Sequence, residues 1–301
     1  MKALAGASAL LALLAVPASS PRIAGCPVFP ASNAWNQRVD RLPVLPGSRT
    51  TIRSIGADTG LHADFGSGLW DGAPIGIPIT VVHHGVPKSR VSFDYVDESD
   101  RGLYPIPTMV KIEGGGDRHA LIVDSSTCTL YELYALQRTG SGWHAGSGAI
   151  WSLRSNRLRP AGWTSADAAG LPILPGLVRW SEVAAGHVDH ALRFTVERTR
   201  RAYVWPARHD ASDLTDENLP PMGLRLRLRD DYPIAGFPLQ ARIVLAALKR
   251  YGMIVADNGS SWYVSGEPNS RWSNDDLHTL GRVPGSAFEV VDTRTLRPKA
   301  K

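Results

Sequence analysis

Apolar and polar residues alternate with period two along much of the chain, and the alternation stops every few residues at Gly, Pro, Asn or Asp. A β-strand turns successive side chains to opposite faces, so this pattern predicts short strands joined by turns. The cleanest run is Leu224-Arg225-Leu226-Arg227-Leu228-Arg229, with leucines expected on a core and arginines on the other face. His119 to Asp124 and Cys128 to Leu136, separated by Ser125-Ser126-Thr127, read as a hairpin. Another strand is expected over His190 to Glu197, turning at Arg198 to Arg201 into Ala202-Tyr203-Val204-Trp205. Met253 to Asp257 and Ser260 to Val264 flank Asn258-Gly259, the dipeptide that most strongly signals a two-residue hairpin.

Helix signals are few. Pro238 to Tyr251 carries apolar residues at helical spacing, opens on proline and closes on Lys249, Arg250 and Gly252. Ser273-Asn274-Asp275-Asp276 marks the start of a shorter helix. The longest connection, 158 to 176, is rich in Gly and Pro, and long ordered loops on a β scaffold are where binding and catalysis concentrate. The expected fold is mainly β: an antiparallel β-sandwich, jelly-roll-like, with one packed helix and long Gly/Pro-rich loops, in a single domain over residues 19–301. A mixed α+β fold is the alternative. A chain of 301 residues, 43% of them hydrophobic, can bury a sizeable core without metal staples.

Lys2, an apolar run from Ala3 to Val16, and small residues at Val16 and Ala18 read as a secretory signal peptide cut after Ala18. The run is shorter than the roughly 20 apolar residues a membrane span needs, and no later segment approaches that length. A competing reading takes Ile23-Ala24-Gly25-Cys26 as a lipobox that would lipidate Cys26, although Pro21 and Arg22 separate it from the apolar run. A secreted or periplasmic protein with two cysteines is expected to pair them, as Cys26–Cys128. The formal net charge of +5 is diffuse, with no lysine-rich tail and no nucleic-acid motif, so no nucleic-acid partner is expected. The expected partner is a polysaccharide or cell-wall glycan, bound by a monomer.

Gly-x-Ser-x-Gly, His-Glu-x-x-His, P-loop and dinucleotide signatures are absent, which removes standard serine hydrolysis and ATP chemistry. Carboxylates and histidines among aromatics remain. Glycoside hydrolysis needs two carboxyl groups astride the scissile oxygen, one protonated and one ionised. The catalytic candidates are Glu132, sharing a strand face with Leu130 and Tyr134, Asp167 in the long loop, and Glu182 after Trp180. Asp257, at the expected hairpin tip, is a candidate substrate ligand. Each has a structural alternative: Glu132 paired with an arginine across the sheet, Asp167 complementing a turn capped by Thr164 or Ser165, Asp257 holding the Asn258-Gly259 turn.

A uronic-acid lyase is the second mechanism, with His119, His190 or Tyr131 abstracting a proton and Arg118 or Arg193 neutralising the sugar carboxylate. The alternative is two satisfied core histidines. His187-Val188-Asp189-His190 would put its rings on opposite faces of a strand, so neither a metal nor a cofactor is expected. Trp151 and Trp163 are candidate substrate-binding rings, because a flat π surface matches a pyranose face; such rings also plug cores. Arg225, Arg227 and Arg229 form a comb that would grip an acidic polymer, or simply face water.

Gly162-Trp163-Thr164-Ser165-Ala166-Asp167-Ala168-Ala169-Gly170-Leu171-Pro172, His190-Ala191-Leu192-Arg193-Phe194, and Tyr251-Gly252-Met253 with Ala256-Asp257-Asn258-Gly259 resemble motifs of a family of secreted bacterial proteins without an established activity. The resemblance implies export and a common fold, and it transfers no catalytic residues. The function expected from the residues is an exported glycoside hydrolase using two carboxylates. A polysaccharide lyase and a non-catalytic carbohydrate- or cell-wall-binding protein are the alternatives.

Overall fold

The computed structural model describes residues 20–140 and 142–298; the leader expected over residues 1–18 lies outside them. In chain order the strands that organise the molecule are β1 (His62–Asp64), β2 (Ile79–Val82), β3 (Ser89–Phe93), β4 (Leu103–Tyr104) and β5 (Ala120–Asp124). They continue as β6 (Thr129–Tyr134), β7 (Gln137–Thr139), β8 (Gly142–Ala145), β9 (Ser147–Ser152) and β10 (Leu192–Val196). The last are β11 (Arg225–Leu228), β12 (Met253–Asn258), β13 (Tyr263–Ser265) and β14 (Phe288–Val290). Four helices accompany them: α1 (Ser48–Ile55), α2 (Trp180–Ala185), α3 (Leu239–Arg250) and α4 (Asn274–His278).

The architecture is mainly β, as the alternation predicts. A four-stranded sheet has the order β9-β6-β5-β2, a six-stranded sheet the order β14-β11-β12-β10-β13-β1, and a smaller sheet the order β7-β8-β3-β4. Both sides of the four-stranded sheet are covered. Ile122, Tyr131 and Leu133 face the small sheet, while Leu121, Leu130 and Trp151 face the N-terminal segment and Ile173, Leu174 and Leu177. The six-stranded sheet buries its apolar face, with Phe194, Leu226, Val255 and Val264, against α1 and α3. Residues 163–177 lie between the two principal sheets in a sandwich-like arrangement. Gly176 permits that approach, since a Cβ there would lie 2.7 Å from the Cβ of Arg193 and 2.8 Å from the ring of Trp35.

The β5–β6 hairpin forms as expected, in register from Thr129–Asp124 to Leu133–Ala120. Cys26 and Cys128 pair across a sequence separation of 102 and tie the N-terminal segment to that turn. α3 begins after Pro238 and presents Ala241, Val244, Leu245 and Leu248 to the core. Ser273 caps α4 by accepting from the Asp276 N–H. Among the described residues no helix is long and apolar enough to cross a membrane.

Four local expectations are corrected. Pairing is not antiparallel throughout, because β2–β5, β3–β8, β10–β12 and β13–β1 are parallel and need long crossovers. Asn258-Gly259 does not close a two-residue hairpin: β10 runs between β12 and β13. Gly259 N–H donates to Val196 and Trp262 N–H to Thr195, so the turn crosses the end of β10. Trp262 pins that crossing, fully buried between Phe194 and Phe288 with its indole N–H on the Gly56 carbonyl.

Ala202 to Trp205 forms only a bridge from Tyr203 to Met222, because Pro206 ends the segment and Pro220-Pro221 opposite offer no ladder donors. The arginine face of β11 is not wet. Arg225 is buried and donates to the carbonyls of Tyr251, Ala34 and Gln37, while Arg227 binds Glu289, Val39 and Leu42. The segment 34–42 covers this face, so only Arg229 of the comb stays exposed.

Candidate functional site

Phe194 and Val264 pair across β10 and β13 on the apolar face. The two-residue period then turns Arg193, Tyr263 and Ser265 to the opposite face, next to His62 and Asp64 of β1. Arg193 is buried beneath the 163–177 loop. Its Nε and Nη2 grip the two oxygens of Asp167 at 2.9 Å each, Nη2 also reaches Asp257 at 3.0 Å, and Nη1 donates to Ser265 at 2.7 Å. One guanidinium thus serves two carboxylates. Burial, and next the charge of Asp167, push Asp257 up to about 7.

His119 lies on the far side of the same loop. Its Nδ1 meets Glu113 Oε2, and its Nε2 donates to the Ala166 carbonyl at 3.0 Å. Acceptors at both ring nitrogens fit the doubly protonated imidazolium. Burial alone would depress this ring, but the Glu113 carboxylate outweighs it and lifts His119 to about 9. Burial likewise pushes Glu113 up, and the hydrogen bonds and charge of His119 together outweigh that and hold it below the ordinary range.

The other candidate residues are placed as follows. Glu132 is fully buried and has no arginine partner among the described residues. Its Oε1 accepts from the Ile173 and Leu174 N–H groups at 2.9 Å, and its Oε2 from the Trp151 indole at 3.2 Å. Burial lifts it to about 7. Asp167 caps no helix: it is fully buried, its N–H on the Ser165 hydroxyl. Glu182 joins Arg179 and His190 at the start of α2, and those contacts hold its carboxyl low against the opposing effect of burial.

The residues grouped for a lyase divide. Tyr134 lies 5.8 Å from His119 between ring centroids, whereas His190 sits with Glu182. Tyr131 occupies the opposite face of β6 against Tyr104 and Lys88. Arg118 donates to the Leu136 carbonyl. Trp151 and Trp163 both face the Arg159 guanidinium, and Trp151 is buried.

The polar layer opens at one end into a cleft of about 600 Å³. His62, Asp64 and Tyr263 contribute from the sheet edge, Glu113 to Asp117 form one wall, residues 70–76 another, and Asn274, Leu277 and His278 of α4 a third. Glycines let the walls meet: a Cβ on Gly114 would lie 2.3 Å from the Cβ of Ala73, and Gly115 adopts φ +75°. Both hydrogen bonds on the Glu113 carboxylate fall on Oε2; among the described residues no donor reaches Oε1.

Asp64 is open to solvent on the cleft surface, yet the protein mass around it and the charge of Glu113 push its carboxyl above the usual range. Two carboxyl groups of one cleft are therefore displaced in opposite directions, the pattern that separates an acid from a base. His62 stacks on Tyr263 at 4.1 Å between centroids, and Trp70 stands at the rim, 79% exposed.

Sequence reasoning missed Asp64, Glu113 and Asp117, while Trp70 stands among the loop tryptophans whose rings could stack on sugars. The available signal was Glu113-Gly114-Gly115-Gly116-Asp117, a glycine run that lets two acids line a tight wall. Comparison with family models, with curated proteins and with solved structures returns no match.

Proposed function

We propose that the chain is an exported carbohydrate-active hydrolase that cleaves a polysaccharide in the cleft, with Asp64 as proton donor and Glu113 as the ionised carboxylate. The observation that carries this reading is geometric: two carboxyl groups from separate segments line one cleft of about 600 Å³ beside Trp70 and Tyr263. Glu113 is held through Oε2, and its Oε1 is left without a donor among the described residues. The opposite displacement of the two carboxyls supports the reading. Asp64 delivers its proton to the glycosidic oxygen as the bond to the anomeric carbon breaks. Glu113 takes a proton from the water that adds to that carbon, and exchange with solvent resets both groups.

Protonated His119 keeps Glu113 charged and fixes its orientation, so it acts as a positioning residue. Trp70 and Tyr263 offer flat surfaces to sugar rings. Glu132, Asp167 and Glu182 are assigned to the framework, because their carboxylates are committed to internal donors. The Cys26–Cys128 disulfide fits the export this reading requires.

The test is release of new reducing ends from a panel of neutral and charged polysaccharides by the disulfide-intact protein. Asp64→Asn is expected to lose about 10²–10⁴-fold in turnover with little change in Tm. Ultraviolet-absorbing unsaturated ends would instead favour lyase chemistry around His119, Tyr134 and Arg193. Retention on a glycan without cleavage would leave a binding protein.

A further inference from the structure

The chain carries 33 Lys and Arg against 28 Asp and Glu, yet its cleft has the opposite sign. Asp64, Asp71, Glu113 and Asp117 line it. Asp64 holds the proton it donates and Glu113 faces His119, so Asp71 and Asp117 carry the charge open to a ligand. No lysine or arginine lines the cleft among the described residues. The cations behind it are already engaged, His119 with Glu113 and Arg193 with Asp167 and Asp257. The acids come from three segments: β1, the turn after Trp70, and the 113–117 loop. They do not converge with other groups as metal ligands among the described residues. Charge spread around a concave wall with an exposed ring at its rim suits an extended cation better than a compact one.

We infer that the polysaccharide taken by this cleft bears protonated amines, as an N-deacetylated amino-sugar polymer does. This rests on the hydrolase reading of the same cleft. Low-dielectric walls focus the field of like charges and raise the local concentration of an oppositely charged ligand. An ammonium group on the sugar ring meets Asp71 or Asp117, while Trp70 beside Asp71 presents its face both to the ring and to the cation. The same acids repel a polyuronate, which finds no arginine or lysine in the lining to neutralise its carboxylates. A fully N-acetylated chain keeps the stacking and loses the charge attraction.

The experiment compares matched glucosamine polymers, fully acetylated, half deacetylated and fully deacetylated, with a polyuronate and a neutral glucan, following reducing ends and binding by tryptophan fluorescence. The expected result is kcat/KM at least about tenfold higher on the deacetylated than on the acetylated chain, falling severalfold as salt rises from about 50 to about 500 mM. Asp71→Asn and Asp117→Asn should each raise KM for the deacetylated chain about threefold or more and flatten its salt dependence.

Equal or faster turnover of the acetylated, neutral or uronate chains, or a salt-independent KM, would overturn the amine specificity and leave the hydrolase reading standing. Tight, salt-sensitive binding of the deacetylated chain without cleavage would support the charge recognition and overturn the hydrolase. Neither binding nor cleavage of any polymer would overturn both.

Discussion

Arg193 holds Asp167 with two hydrogen bonds and Asp257 with a third, so its removal strands the fully buried Asp167 carboxylate without a partner charge. Breaking a buried pair from one side costs about 3–5 kcal/mol, and Arg193→Met should lower urea stability by that order. Glu132 differs, because its partners are two backbone N–H groups and an indole. Glu132→Gln turns an acceptor into a group that is partly a donor and should cost about 1–3 kcal/mol, with turnover per folded molecule unchanged. Loss of turnover at full stability would return Glu132 to the catalytic set. Arg193, Asp167 and Asp257 each stand out in the sequence as chemistry-bearing residues. Their mutual bond does not, since 26 and 64 positions separate Arg193 from its partners and only the folded loop joins them.

At the scale of elements, the cleft depends on how closely the 113–117 wall approaches the chain at Ala73. Gly114→Ala places a methyl where the Ala73 Cβ already stands, so it should displace the wall and reduce turnover or binding. Adding Ala73→Gly should restore both, and failure of that rescue would show that the loop's conformation rather than the contact was damaged. The disulfide constrains the unfolded chain over a loop of 102 positions. Cys26→Ser with Cys128→Ser should cost about 2–5 kcal/mol in denaturant stability. Local signals served α3 and α4 well, because proline starts, a serine cap and terminal cations act within one turn. The Asn258-Gly259 signal misled because a turn dipeptide specifies chain reversal, not which strand lies alongside. Here β10 lies between the two strands, and the buried Trp262 packs on Phe194 at that crossing.

Across the whole molecule, several buried groups bind protons more tightly folded than unfolded. His119 is lifted from 6.5 to about 9, so the folded state holds the extra proton between those values and stability falls as pH rises through them. Glu132 and Asp257, lifted to about 7 from 4.5 and 3.8, favour the folded state when protonated, and that advantage disappears as pH rises to 7. Glu113 and Glu182 work the other way. Their carboxyls are held low, so the stability they add is present above 4.5 and is lost as pH falls through their folded values. The balance places the highest Tm on the acid side of neutrality, with Tm declining as pH rises through 7 toward 9. His119→Gln should remove much of the decline above pH 6.5. A melting curve flat from pH 5 to 9 would contradict the protonated His119 that orients Glu113.

Side-chain alternation, helix starts and cysteine number act through near neighbours or simple counting. The mainly β architecture, the β5–β6 hairpin, α3 and the Cys26–Cys128 bond were therefore readable from residues alone. Strand order, the parallel pairs and the dry arginines of β11 were not, because each depends on a covering segment distant in the chain. The candidate site belongs mostly to this second kind. Asp64 stands in ordinary sequence and Glu113 opens a glycine run, but neither context says what will face these acids. They become an unlike pair only because a sheet edge, a glycine loop and a buried histidine surround them with different amounts of protein and charge.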